Sequence, residues 1–510
     1  MELACQQPEW LSEGCDGEMI YQQIKGLIRK AVEVELIDDT DQIYVTNQVL
    51  ALLHLESMPA TTESKPDDSI PNILDKIIAY AIKNNVIDDV FDDKEILSAS
   101  IMNCFVARPS VINAVFQQKY RNSPKEATDY FYELSKNSNY IQMNRIKKNI
   151  HFKAETIYGE MDITINMSKP EKDPEQIKRE SQLKHDVDYP KCLLCIENEG
   201  YSGRTGYPAR ANHRIIQVPL INENWYLQYS PYVYYNEHSI LLAEEHRDMK
   251  IGKDTCKRLL TFIEKFPHYF IGSNADLPIV GGSILNHDHY QTGRYDFPMT
   301  TATNAFTFTF EKFTHITASV LEWPLTTIRL QGDEIEPLIQ AADHVLTTWK
   351  NYNDEEADIR AFSGNTPHNT ITPIARMRAN KFELDLVLRN NRTTADHPLG
   401  IFHPHTDVHH IKKENIGLIE VMGLAVLPAR LKDELAEIKM FLLNQTSAVA
   451  TYHQEWAEQM KDKYGEVSNL EQIENFLKKE LGIKFAKILG DAGVFKVQSE
   501  CERFIKTLNR

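Results

Sequence analysis

The segment Gly281-Gly282-Ser283-Ile284-Leu285-Asn286-His287-Asp288-His289-Tyr290-Gln291 gathers the residue types that nucleophilic chemistry at phosphorus requires. If the chain around His287 is extended, side chains alternate in direction, so His287, His289 and Gln291 share one face and Asp288 and Tyr290 the other. Two imidazoles and a carboxamide then converge. A histidine attacking phosphorus needs one neutral ring nitrogen in line with the leaving oxygen. It also needs an N–H donor, such as Gln291, on the non-bridging oxygen where charge develops. Gly281 and Gly282 let the backbone approach a ligand closely, and Ser283 can hydrogen-bond a phosphate oxygen. The competing reading makes one or both histidines satisfied core residues or metal ligands.

A second element, Cys192-Leu193-Leu194-Cys195, places two thiols at the spacing that suits one tetrahedral zinc ion, which needs two further ligands. The sequence holds no second C-x2-C pair, so histidines must complete such a site, with His238, His246 and His287 as candidates. A buried free cysteine pair or a redox motif is the alternative. A third element, Phe402-His403-Pro404-His405-Thr406-Asp407-Val408-His409-His410, packs four histidines together. It reads either as metal or substrate contact or as a mutually hydrogen-bonded cluster. Asp407 stands where the first element has Gln291, so this second His-x-His lacks the oxyanion donor.

Elements of regular structure must position these groups. Apolar residues recur at helical spacing from Ile20 to about Asn139, as in Ile24-Leu27-Ile28-Ala31 and Ile73-Leu74-Ile77-Ile78-Ala81, which predicts a helical layer. Breakers from Ser57 to Pro71 predict a loop, and the charged run Gln176 to His185 predicts a solvated helix or linker. From Tyr189 to about Arg294 the texture becomes strand-like, with Ile215–Leu220, Trp225–Tyr229 and Ser239–Ala243 as short β runs. A helix is expected over Ile335–Trp349, the clearest strand over Phe382–Leu388, and helix again after Leu431, with an apolar stripe through Leu470, Ile473, Phe476, Leu477 and Leu481.

The 510 residues are 42% apolar and 25% charged, the composition of an ordinary globular protein with two to four structural units. The net charge of −17 repels a phosphate backbone and argues against nucleic acid as the main ligand. Seven cysteines, an odd count, suggest a reducing compartment, and the N-terminus has no secretory pattern. The most apolar late stretch, Ile416 to Leu427, is interrupted by Glu420 and is shorter than the ~20 residues of a membrane span. Together these predict a cytoplasmic protein without membrane or nucleic-acid partners.

Several long strings resemble the bacterial class II galactose-1-phosphate uridylyltransferases: residues 192–201 (CLLCIENEGY), 228–238 (QYSPYVYYNEH), 244–247 (EEHR), 281–291, 366–376 (TPHNTITPIAR), 388–394 (LRNNRTT) and 403–424. The resemblance runs from about Tyr130 to Arg430. It implies an α+β fold of two histidine-triad-like antiparallel-sheet halves with helices, flanked by N-terminal and C-terminal helical segments. The boundaries expected are 1–145 for the N-terminal helical region, 146–330 for the first transferase half and 331–510 for the second with its helical tail.

The activity implied is transfer of the uridylyl group of UDP-glucose to a histidine, then to galactose 1-phosphate, giving UDP-galactose. In the related class I motif His-Pro-His-x-Gln the second histidine is the nucleophile. It maps onto His289, with Gln291 as the phosphoryl-oxygen donor. The first histidine maps onto His287, a zinc ligand with Cys192, Cys195 and an upstream histidine matched by His246, with His238 the competitor. Asn274, Glu420 and Ser283 are the expected phosphate and hexose contacts, and Arg376, with Arg389 and Arg392, the expected phosphate neutralisers. Partners are then UDP-glucose, UDP-galactose, hexose 1-phosphates and a second copy of the chain in a homodimer. Asp288 departs from the class I proline, and Thr292 stands where glycine is expected. Two other readings share these motifs: a histidine-triad nucleotidyltransferase or hydrolase with a different acceptor, and a non-catalytic zinc-stabilised UDP-sugar-binding protein.

Overall fold

In the computed structural model, the described residues are 16–59, 68–168, 187–282, 284–465 and 469–509. The expected charged run Gln176 to His185, and Ser283, lie outside them. The chain divides into two compact units, one of residues 1–147, 170–217 and 228–232 and a larger one of residues 148–169, 218–227 and 233–510.

The smaller unit begins with helices Asp16–Glu33, Gln42–Leu52, Ile70–Lys83, Phe91–Asn103, Pro109–Asn122 and Pro124–Asn137. Ile24, Leu27, Val49, Ile73, Ile77 and Ile101 form one core, as their helical spacing demands. The breaker-rich stretch ends earlier than expected. Ile70 and Pro71 are already helical, because the Ser69 hydroxyl caps the Asn72 amide and proline suits the first turn, where its missing N–H is not needed.

The larger unit is built on antiparallel strands. Eight follow one another in its main sheet: Ser239–Ala243, His289–Gly293, Phe270–Gly272, Asn369–Arg378, Lys381–Asn390, Thr327–Gly332, Thr317–Leu321 and Asn304–Phe308. The class is α+β, as expected. The strands preceding residue 300 and those following it form one continuous sheet, joined where Phe270–Gly272 pairs with Ile374–Arg376. One helix inside the strand-rich stretch is not anticipated: Lys253–Lys265 buries Cys256, Leu259, Leu260 and Ile263 at i, i+3, i+4, i+7, a stripe hidden among flanking β runs. The expected helices near Ile335 and Leu470 run over Ile335–Lys350 and Leu470–Ala492. No helix among the described residues is long and apolar enough to cross a membrane.

A smaller sheet pairs the hairpin Ile150–Thr156/Gly159–Ile165 with Leu424–Leu427, the latter parallel to Asp162–Ile165. This pairing fixes the short helix Leu418–Val421 just ahead of it, and so fixes Glu420.

The alternation in Phe382–Leu388 does not put its polar face in water. Glu383 and Asp385 are fully buried, directly across from Arg376 and Arg329 on the two neighbouring strands. The contacts also run diagonally: Arg376 reaches Asp385 Oδ2 at 2.7 Å, and Arg329 grips Asp385 with two bonds of 2.7 and 2.8 Å. Burial pulls the Asp385 pKa upward, but Arg376 and Arg329 outweigh it and hold it at about 2. A carboxylate depressed in this way stabilises the fold fully above its ordinary pKa, and the contribution is lost as pH falls toward 2. Asp385→Asn leaves buried guanidinium uncompensated and is expected to cost about 3–5 kcal/mol. A urea midpoint equal to that of the parent would show that the network contributes nothing.

Candidate active site and metal centre

His289 opens the strand His289–Gly293, whose register is set from both sides: Leu242 faces His289, and Gly272 faces Gln291. Continuing the antiparallel register with Phe270–Gly272 places Asn274 level with His289. Strand alternation then turns His289 and Gln291 to one face, as the sequence pattern requires.

The His289 ring is buried, and its Nδ1–H donates to the His287 carbonyl at 2.7 Å. Burial pushes its pKa down to about 4, so the ring is neutral. With the proton committed to Nδ1, Nε2 carries the lone pair. Gln291 Oε1 is buried without a hydrogen-bond partner among the described residues. Asn274 is buried, and its Oδ1 accepts from the Leu418 amide at 2.9 Å, which turns the amide nitrogen toward Gly282. A Cβ on Gly282 would come within 2.9 Å of that nitrogen, and one on Gly281 within 2.5 Å of the Ala275 carbonyl, so neither position accepts a side chain.

Glu420 caps its own short helix through the Gly417 amide and pairs with Lys412 at 3.0 Å. Arg389 is fully buried, donates to the Ile416 carbonyl at 3.0 Å, and faces Glu420; burial lowers its pKa to about 10. Arg376 is not brought here. It lies level with Phe270 and hence Gly293, four residues from His289 and roughly 13 Å along the strand. Its guanidinium pairs with Glu383 and Asp385, so the expected phosphate neutraliser is not brought beside His289. Arg392 donates to the Asp358 carbonyl and carboxylate.

The opposite face of the strand carries a cluster that no motif announces. Tyr290 stacks on Trp225 at 5.0 Å, Arg247 and Arg258 lie over the Trp225 ring, and both arginines hold Glu223. Burial raises Glu223, but these arginines outweigh it and hold it at about 2. Asp288 is different: burial dominates over Arg258 and Arg247 and lifts it to about 6. The Asp288 amide and carbonyl are tied to the Arg247 carbonyl and the Ala243 amide, which anchors the chain just before the strand His289–Gly293.

The sulfurs of Cys192 and Cys195 and one ring nitrogen from each of His246 and His287 lie within 4.8 Å of one another, and this is the metal-type group found among the described residues. His238 is not in it. The donor set suits a metal: the sulfurs are 3.5 Å apart, and the His287 Nε2–H donates to the Ala243 carbonyl at 2.9 Å, leaving Nδ1 as the ligand atom. Burial and the neighbouring Cys192 push the Cys195 thiol up to about 12, a cost that a bound cation removes. The turn itself is fixed by Asn198, whose amide donates to the carbonyls of both cysteines at 2.8 Å. Among the described residues, the four histidines of residues 403–410 are not in such a group. His405 and His409 bond to the Ile401 and Pro404 carbonyls, His403 to Asn415, and His410 to His453.

The galactose-1-phosphate uridyl transferase N-terminal domain model matches residues 35–248, and the C-terminal domain model of the same name matches residues 262–458. A protein of Clostridium perfringens strain 13 named galactose-1-phosphate uridylyltransferase is 51% identical over 493 residues, covering 95% of this chain and 98% of its own. One of the same name from Fusobacterium nucleatum is 48% identical over 498 residues, covering 95% and 98%. The α+β fold and these matches define a nucleotidyltransferase. The chain belongs to the galactose-1-phosphate uridylyltransferase family.

Removing a donor tests the metal group. His246→Ala is expected to lower bound metal, measured by plasma mass spectrometry, at least tenfold, while His238→Ala keeps the parent's content. Equal loss in both variants would move the site.

Proposed function

We propose that the protein transfers the uridylyl group of UDP-glucose to galactose 1-phosphate through a uridylyl-histidine intermediate on His289. The observation that carries this is the tautomer: a neutral, buried imidazole with Nδ1–H held by a carbonyl and Nε2 left as the nucleophile. Nε2 attacks the uridine-side phosphorus, forming a P–N bond as the P–O bond to glucose 1-phosphate breaks. The positive charge that develops on the ring is met by the His287 carbonyl at Nδ1. A phosphate oxygen of galactose 1-phosphate then attacks the same phosphorus, the P–N bond breaks, and the ring returns to neutral. Gln291 serves through its amide N–H on a non-bridging oxygen, Asn274 through its nitrogen beside Gly282, and Glu420 as an acceptor for hexose hydroxyls.

Cys192, Cys195, His246 and His287 would hold the metal, and their two-sulfur, two-imidazole donor set suits zinc. With four protein ligands its part would be structural, bracing the backbone from which His289 projects. A homodimer completes the reading, carried by the family resemblance.

Intact-mass spectrometry of the metal-replete protein incubated with UDP-glucose alone, near neutral pH, is expected to show a uridylyl adduct that galactose 1-phosphate removes. His289→Ala should show none and no transfer while still binding UDP-glucose, and Gln291→Ala should lower kcat by roughly 10²–10³. Release of UMP to water in place of UDP-galactose would favour the hydrolase reading. Full transfer by His289→Ala would sink the nucleophile assignment.

A further inference from the structure

His409 and His410, left without a role above, border a cavity of about 780 Å³ in the larger unit. Its walls come from the Thr406–His410 segment and from helices Gln454–Tyr464 and Leu470–Ala492, and it shares no lining residue with the surroundings of His289 described above. That volume is in the range of small-molecule sites.

One wall ends a hydrogen-bonded chain. Fully buried His453 has its Nε2 at 2.9 Å from Glu434 Oε2 and its Nδ1 at 2.8 Å from His410 Nδ1. Glu434 also receives Arg430 at 2.6 Å and the Tyr452 hydroxyl at 2.7 Å. A carboxylate only accepts, so His453 Nε2 bears a proton, and in the singly protonated ring His453 Nδ1 is the acceptor. His410 must then donate from Nδ1, which leaves its Nε2 as a lone pair. The half-buried His410 side chain makes no other hydrogen bond among the described residues.

Facing it are donors. The Lys484 ammonium lies 5.9 Å over the Trp456 ring, with a 3.5 Å bond to the Asp407 carbonyl. Trp456 is only 4% exposed, and its Nε1–H has no acceptor among the described residues, which is uncommon for a buried donor. Glu455 and Gln459 add polar atoms on the helix that carries Trp456.

We propose that this cavity is a second ligand site, for a polyhydroxylated anion of the sugar-phosphate class. The His410 lone pair accepts from a ligand hydroxyl, while Lys484 and the Trp456 N–H donate to anionic oxygens. A protein of net charge −17 does not collect such anions at random, so the local donors decide. The site does not depend on the transferase reading.

The test follows the Trp456 indole N–H resonance of the full chain, assigned by its loss in Trp456→Phe, with the transferase site saturated by UMP. Titration with glucose 6-phosphate is expected to move it saturably downfield. The apparent Kd should weaken at least tenfold in Lys484→Met and about fivefold in His410→Phe, with uridylyl transfer by both variants within twofold of the parent. Inorganic phosphate should bind more weakly and glucose alone not at all. Equal affinity for phosphate and glucose 6-phosphate would overturn the sugar-phosphate assignment, and an unmoved resonance would overturn the site.

Discussion

The register of the strand His289–Gly293 is the constraint on which the site depends. Held by Leu242 on one side and Gly272 on the other, it fixes which side chains face the chemistry. A slip of one residue would exchange His289 for Tyr290 or Asp288 on the active face and bury an imidazole among the arginines behind it. Both faces resist the slip. On one side the His289 ring is bonded to the carbonyl two residues earlier, which fixes the ring against its own backbone. Behind, Tyr290 stacks on Trp225 between Arg247 and Arg258, a fit that histidine in its place would not reproduce.

The same register explains why Asn274 is available and Arg376 is not. Both lie on strands next to, or one removed from, the nucleophile strand, but at opposite ends of the pairing. Asn274 sits beyond the last ladder pair, where the backbone leaves the sheet and Gly281-Gly282 can come close. Arg376 sits in the middle of the sheet, where a cation survives only against carboxylates, and Glu383 and Asp385 are there.

Much of this was legible in the residues. The Gly-Gly…His-x-His-x-Gln string, the C-x2-C pair and the helical stripes each follow from local spacing, and local spacing is what a sequence displays. His246 could be favoured over His238 only by matching a motif, because the two lie eight residues apart and spacing does not say which returns to the cysteines. The surroundings of Arg376 were hidden for the converse reason: its partners are across strands, and Glu383 and Asp385 look like the solvent face of an alternating strand until two neighbouring strands supply arginines. The helix Lys253–Lys265 was hidden by short β runs on both sides. The cluster around Asp288 joins residues from 223 to 290 and has no signature along the chain.

The arrangement of charge follows from the same accounting. The chain is strongly acidic, yet the chemistry proposed for it handles anions, so the acidic excess must be kept from the site. The structure does this by local neutralisation. Glu420 is covered by Lys412 and faces buried Arg389, and Glu223 is held by Arg247 and Arg258. Around His289 itself the groups are neutral dipoles: an imidazole, two carboxamides and glycine backbone. Such groups stabilise developing charge without the desolvation cost of a lone buried cation, and they need no counter-ion when the substrate leaves. On the reading proposed above, an acidic protein presents a nucleophile to phosphorus in this way: the buried arginines hold the sheet that carries His289, while uncharged groups surround its ring.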